Sequence, residues 1–376
     1  MTRETTALTV IVLLLVTCGV LMVYSATGFG GDGTGALKRQ IACAVLGLGA
    51  FFFCARFDYH GFGGKKLFWI IQGVSILFLI LVLLPYFSEE VNGARRWFKI
   101  GPFQFQPSEC AKFALVVWLA GNLTVMRMHL NRFWFGFLPP IAVTGLYATL
   151  VFLENDLGLP AVLMAVALLV MWNAGVNPVY LALTGAAGIG GVLYIAYTTP
   201  HRIERMLAFR DPAAHRDDAS YQLVQSLRGF AEGGAWGQGL GAGEQKLDYL
   251  FAAHTDFIFS VIGEERGLAG TLLIVLLFAA LTFVSFRIAH RAPDMFGALL
   301  ASGCAVLIAF QAAFIMAVTI GLAPTKGMPL PFISHGGTAL IVFLACAGVL
   351  VNVGAQVRVE EREGRSIMPA QQPAHA

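Results

Sequence analysis

Asp256 stands at the head of a long apolar run in AAHTDFIFSVIGEERGLAG (Ala252–Gly270), with His254 just before it and Glu264 and Glu265 about two turns on. A carboxylate in that place has two uses. It can cap the helix that follows, together with Thr255, or it can take a proton or hold a cation during a reaction. Glu264 and Glu265 serve equally as partners for Arg266 or Lys112 and as functional groups. In NGARRWFKIGPFQFQPSECAK (Asn92–Lys112), Arg95 and Arg96 precede Trp97. That order fits an interfacial anchor as well as an anion site. Glu109 and Lys112, spaced i, i+3, share one face at the start of an apolar helix and can pair. Ionisable groups inside an apolar helix are costly and usually face a cavity or pathway. APTKGMPLPFISHGGTAL (Ala323–Leu340) carries three prolines and three glycines, which break regular helix. Such backbone survives at membrane depth only when buried in protein or lining water, and Lys326 brings a cation to it. In LENDLG (Leu153–Gly158), Glu154 and Asp156 mark a turn, for which simple solvation is an equal explanation.

The elements that must position these groups are transmembrane helices. Of 376 residues, 57% are hydrophobic and only 12% charged, with mean hydropathy +0.72. One soluble core cannot hide that much apolar surface. A span needs about 20 apolar residues. Runs at or near that length fall at 8–26, 38–56, 67–86, 110–126, 137–153, 159–173, 178–197, 256–286, 296–321 and 336–354. The spacing predicts an all-α polytopic membrane protein of about ten helices, with a large loop between the seventh and eighth. The first run is too long for a cleaved signal peptide. An even count puts both termini on one side. With that side cytoplasmic, inner segments hold eleven Lys and Arg against seven in short outer ones, which favours this orientation. Lys38 and Arg39 can snorkel and weigh little in that balance. The remaining basic residues on the outer side ask for an anionic partner. Residues 1–355 read as one transmembrane domain and 356–376 as a disordered cytoplasmic tail. A net charge of +3 gives no reason to expect nucleic acid. The six Cys sit singly in apolar runs, and GQGLGAG lacks the GKS/T and the strand of a nucleotide loop. No His pair has metal-ligand spacing. From the residues alone, carboxylates and cations gather near the outer face, as suits either an enzyme acting on an anionic lipid-linked substrate or a transporter moving one.

Taken in order, MVYSA (Met22–Ala26), GARRW, QPSECAK, ENDLG, RIERMLAFRDP, YQLVQS, HTDFIFSVIGEE and PTKGMPLPFISHGG resemble the SEDS family (shape, elongation, division and sporulation) of peptidoglycan polymerases. The likeness runs nearly end to end, and PTKG and NGARRW are nearer its cell-division branch than its elongation branch. It implies ten transmembrane helices, cytoplasmic termini, and polymerisation of lipid II into glycan strands at the outer face of the bacterial cytoplasmic membrane. The family's essential aspartate falls on Asp256, its GARRW tryptophan on Trp97 and its PTKG lysine on Lys326. Departures occur where Pro-Glu is usual, at Phe251 and Ala252, in ENDLG for QPDLG, at His335 for Tyr, and at Ile315 for Asn. Without a carboxylate at Ala252, a two-carboxylate mechanism using that position loses its ground.

The resemblance implies transglycosylation, in which an acceptor hydroxyl loses a proton and a lipid pyrophosphate departs. Asp256 is the expected base, or the ligand of an activating metal. Arg95, Arg96, Lys112, Arg202, Arg205 and Lys326 are expected at the pyrophosphate, with Trp97, Glu109, His254 and Ser334 as further substrate contacts. A divalent cation, Mg2+ or Mn2+, is compatible with this chemistry. The expected partners are a class B penicillin-binding protein and other division proteins, at the septum. A lipid II flippase, an elongation-type polymerase and a division scaffold are the competing readings.

Overall fold

The computed structural model describes residues 2–27, 33–91, 94–101, 103–198, 220–243 and 255–362. Among them, α1 (Arg3–Thr27), α2 (Gly33–Arg56), a single turn α3 (His60–Gly63) and α4 (Lys65–Leu83) come first. A small antiparallel sheet follows, β1 (Glu89–Val91), β2 (Ala94–Ile100) and β3 (Phe103–Phe105), in the order β1-β2-β3. Then come α5 (Pro107–Val125), α6 (Leu138–Leu153), α7 (Gly158–Ala174), α8 (Pro178–Thr198), α9 (Tyr221–Gly233), α10 (Ile258–His290), α11 (Met295–Thr319) and α12 (Gly337–Arg362).

Each of the ten apolar runs falls on a helix. Seven helical stretches among the described residues are long and apolar enough to cross a membrane by length and composition alone; α7 is shorter. Among the described residues, the small sheet is the one departure from an all-helical reading. Phe98 and Phe105 stack across β2 and β3, and both meet Phe78 of α4 edge-on. Helix α12 runs to Arg362, beyond the boundary at 355, because QVRVEER is made mainly of good helix formers. The rest of the expected tail lies outside the described residues.

The core gathers around α5, α11 and α12, where Leu115, Leu119, Leu123, Leu300, Leu307, Phe343 and Leu350 are all fully buried. Helix α10 is broken at Gly267, whose φ of 62° is easy only for glycine. The break frees backbone groups that apolar surroundings would not tolerate. The glycine-rich stretch after α9 satisfies them. The N–H groups of Gln238 and Gly239 donate to the carbonyls of Glu264 and Glu265, at 3.0 and 3.1 Å. Leu268 and Ala269 donate in turn to the carbonyls of Gly234 and Ala235, at 2.9 and 3.1 Å. The segment resembling a nucleotide loop is therefore a backbone splint.

Candidate active site

The ENDLG turn between α6 and α7 is buried, with Glu154 at 1% and Asp156 at 4% exposure, so solvation does not explain its charges. Arg96, on β2, holds it. Its Nε donates to the Glu154 carbonyl at 3.0 Å, its Nη2 to the Asn155 carbonyl at 2.6 Å, and its Nη1 lies 3.4 Å from Asp156 Oδ2. Asp156 Oδ1 accepts the backbone N–H groups of Gly158 and Leu159, starting α7, and pairs with Lys326 Nζ at 2.7 Å. Burial pushes the Asp156 carboxyl upward, but Lys326 and Arg96 outweigh it and hold it below the ordinary carboxylate range. Burial pushes Glu154 up to about 8, against a Ser108 hydroxyl and with Asp156 adding repulsion.

Asp256 lies one residue before Phe257, which occupies the cap position of α10 without a side-chain cap. The capping role is thereby taken from it. Its carboxylate packs on Gly327: a Cβ there would lie 2.7 Å from Asp256 Oδ2. The stem of Lys326 lies likewise over Gly158, where a Cβ would meet it at 2.5 Å. Both glycines of these motifs supply room for a neighbouring charge. Burial pushes Asp256 up to about 6, with Thr255 and Lys326 opposing the rise and Asp156 adding to it. A carboxylate with that value ionises near neutrality yet remains basic enough to take a proton.

A cavity of about 700 Å³ opens over these groups. Arg39, Arg96, Trp97, Lys99, Glu109, Asp156, Thr255, Asp256 and His335 line it, with Gly327–Pro329 and Gly336–Ala339. Arg39, which the charge balance discounts, and Lys99, one of its outer basic residues, add cations, and Gln104, Gln106 and Thr338 add neutral polar groups. The structure thus brings Arg96, Trp97, Glu109, Asp256 and Lys326 to one place. Arg95 is directed elsewhere, to Glu90 at 3.2 Å. Ser334 turns inward, its Oγ accepting the Leu330 N–H at 2.8 Å, and so shapes the loop. Arg202, Arg205, His254 and the departures at Phe251 and Ala252 lie outside the described residues.

Lys112 does not reach the cavity. Fully buried, its Nζ lies 2.6 Å from Glu109 Oε2, donates to Gln311 Oε1 at 2.8 Å and sits over the Phe343 ring. Gln311 Nε2 passes the connection on to the Pro329 carbonyl at 2.9 Å. The lysine therefore braces α5, α11, α12 and the loop that carries Lys326. Of the carboxylates the sequence offers it, Lys112 takes Glu109, while Glu265 accepts from the Ser25 hydroxyl at 2.6 Å. Lys112→Met should cost about 3 kcal/mol of stability by stranding Glu109 and Gln311. Glu109→Gln added to it should restore part of that in thermal melting. A single variant as stable as wild type would contradict the brace.

A broken-helix bundle with a mixed-charge cavity at one end defines a multi-pass membrane protein with a polar reaction site. The profile of the FtsW/RodA/SpoVE family, described as cell cycle proteins, matches residues 5–359, and the chain belongs to that family. It is 40% identical to a probable peptidoglycan glycosyltransferase FtsW of Geobacter sp. (strain M18), over 92% of this chain and 95% of that one. It is 35% identical to stage V sporulation protein E of Bacillus subtilis (strain 168), over 93% and 97%. Among solved structures, a peptidoglycan synthase complex described as coordinating polymerization and crosslinking matches with TM-score 0.77, at 29% identity, covering 92% of this chain and 97% of that one. Thermus thermophilus RodA matches at 0.69 and 28% identity, covering 93% and 96%.

Proposed function

We propose that this chain is an inverting peptidoglycan glycosyltransferase that polymerises lipid II at the outer face of the cytoplasmic membrane. The observation that carries the reading is a part-buried Asp256, poised near neutrality, in a mixed-charge cavity that Arg39, Arg96 and Lys99 also line. The names of its relatives support the same activity.

The acceptor sugar's 4-hydroxyl attacks the anomeric carbon of the donor chain while Asp256 takes its proton. The bond from that carbon to the pyrophosphate breaks, and its electron pair leaves on the phosphate oxygen. Arg96, with Arg39 and Lys99, neutralises the departing charge. Lys326 is shared between Asp156 and the field at Asp256, so it positions the base as well as serving the anion. Arg202, Arg205 and His254 enter only through the family resemblance. Among the described residues, no three His, Cys, Asp or Glu side chains gather as a cation site. Mg2+ is commonly held by one or two carboxylates and substrate phosphates. A cation arriving with the pyrophosphate would have Asp256 as its protein ligand and would add charge neutralisation.

Purified protein given lipid II in detergent, where no leaflets exist, should make glycan polymer. A flippase would make none. In cells, the reading places both termini in the cytoplasm, a crosslinking class B penicillin-binding protein beside the chain, and both at the septum. In a Cys-free background, single Cys residues replacing Lys326 and Lys99 should be labelled from outside, and one replacing Lys65 only from inside. Labelling of position 65 from outside would reverse the orientation.

A further inference from the structure

A second cavity, of about 710 Å³, lies at the other end of α10, beside the starts of α1 and the last turns of α12. Arg287 and Arg291, one turn apart on α10, both reach Glu4 Oε1, at 3.0 and 2.7 Å. Arg3 lines the same space. Among the described residues that line it, three guanidiniums against one carboxylate leave a net charge of +2 (3 − 1), and a single carboxylate oxygen cannot occupy two five-donor forks. The Arg side chains are 45% and 52% exposed, too open for the pairs themselves to contribute much stability. Ala7, Val284 and Ile288 make the adjoining walls apolar.

We infer that this cavity is a binding site for the headgroup phosphate of an anionic phospholipid, with its glycerol and upper acyl chain against the apolar wall. Arg forks match phosphate oxygens two at a time. Basic pockets between transmembrane helices are suited to anionic headgroups. The apolar wall favours a lipid over free phosphate, which shares the headgroup chemistry but has nothing to place there. This site lies at the opposite end of α10 from Asp256, and the inference rests on the membrane-spanning fold alone.

The test is native mass spectrometry of the full-length protein, titrated with phosphatidylglycerol, phosphatidylcholine or inorganic phosphate. Wild type should retain phosphatidylglycerol in preference to phosphatidylcholine. Arg287→Gln/Arg291→Gln, checked for folding by thermal melting, should bind phosphatidylglycerol about 30-fold more weakly, since each cation near an anionic surface contributes about 1 kcal/mol. Equal retention by the double variant would overturn the site, as would equal retention of both lipids by wild type. Should the double variant not fold, the wild-type lipid preference and Arg291→Gln alone still decide. Displacement of the lipid by equimolar inorganic phosphate would assign the cavity to a soluble anion and overturn the lipid assignment.

Discussion

Asp256→Asn should lower glycan polymerisation by about 10²–10⁴-fold, the usual contribution of a general base, while making the protein more stable at pH 7. The second half follows from linkage. An aspartate whose pKa rises from 3.8 to about 6 on folding adds stability below 3.8, and that stability is lost as pH climbs through about 6. At pH 7 the folded protein bears the whole cost of the partly desolvated charge, up to about 3 kcal/mol. Asparagine keeps the shape and removes that cost. Wild-type polymerisation should accordingly rise with pH to a shoulder near 6. Lipid II assays and melting curves on matched protein decide the matter. Activity within a few-fold of wild type would remove Asp256 from the chemistry, and a lower melting temperature would show that its charge holds the fold instead.

Asp156→Asn should have the opposite signature. Its carboxylate takes Arg96, Lys326 and two backbone N–H groups at once. Removing the charge leaves two cations without their counter-ion in a poorly solvated place, which costs about 3–5 kcal/mol. Polymerisation should fall together with the melting temperature, because Lys326 is released from its position over Gly158. Adding Lys326→Met should recover a good part of the stability and none of the activity. If the two substitutions were simply additive in melting, the Asp156–Lys326 pair would not be the unit described here.

The spans were legible because an apolar run of about 20 residues announces itself without reference to any other part of the chain. The positions of Asp256, Arg96, Glu109 and Lys326 were legible as well, since charge beside an apolar run is itself unusual, and Trp97 was legible only through the family's GARRW motif. Asp156 was harder to read. A carboxylate in a turn looks solvated until Arg96 and Lys326, from distant parts of the sequence, are seen to cover it. Gln311 gave no signal, being one polar residue in a long apolar helix. Its value lies in the Lys112 and Pro329 it joins. The small sheet was missed because two of its strands are three residues long, too short to show alternation. Arg95 and Arg96 are adjacent and identical in kind, and only the turn that one of them grips separates their roles.

The break at Gly267 sets the scale on which the bilayer can act on this protein. Unbroken, α10 would be about 50 Å long, well beyond a hydrocarbon layer of about 30 Å. Divided, it leaves Leu268–His290, about 34 Å, to match the lipid. The short piece Ile258–Arg266 is held by the protein instead: by the glycine splint at one end, and through Ser260, Ser226 and Thr319 along its side. A thicker or thinner membrane will tilt the spanning piece. Asp256 is attached to the other piece, so its height above Gly327 is gauged by the protein's own packing. A change in membrane thickness should therefore leave Asp256 over Gly327 rather than draw it toward the lipid.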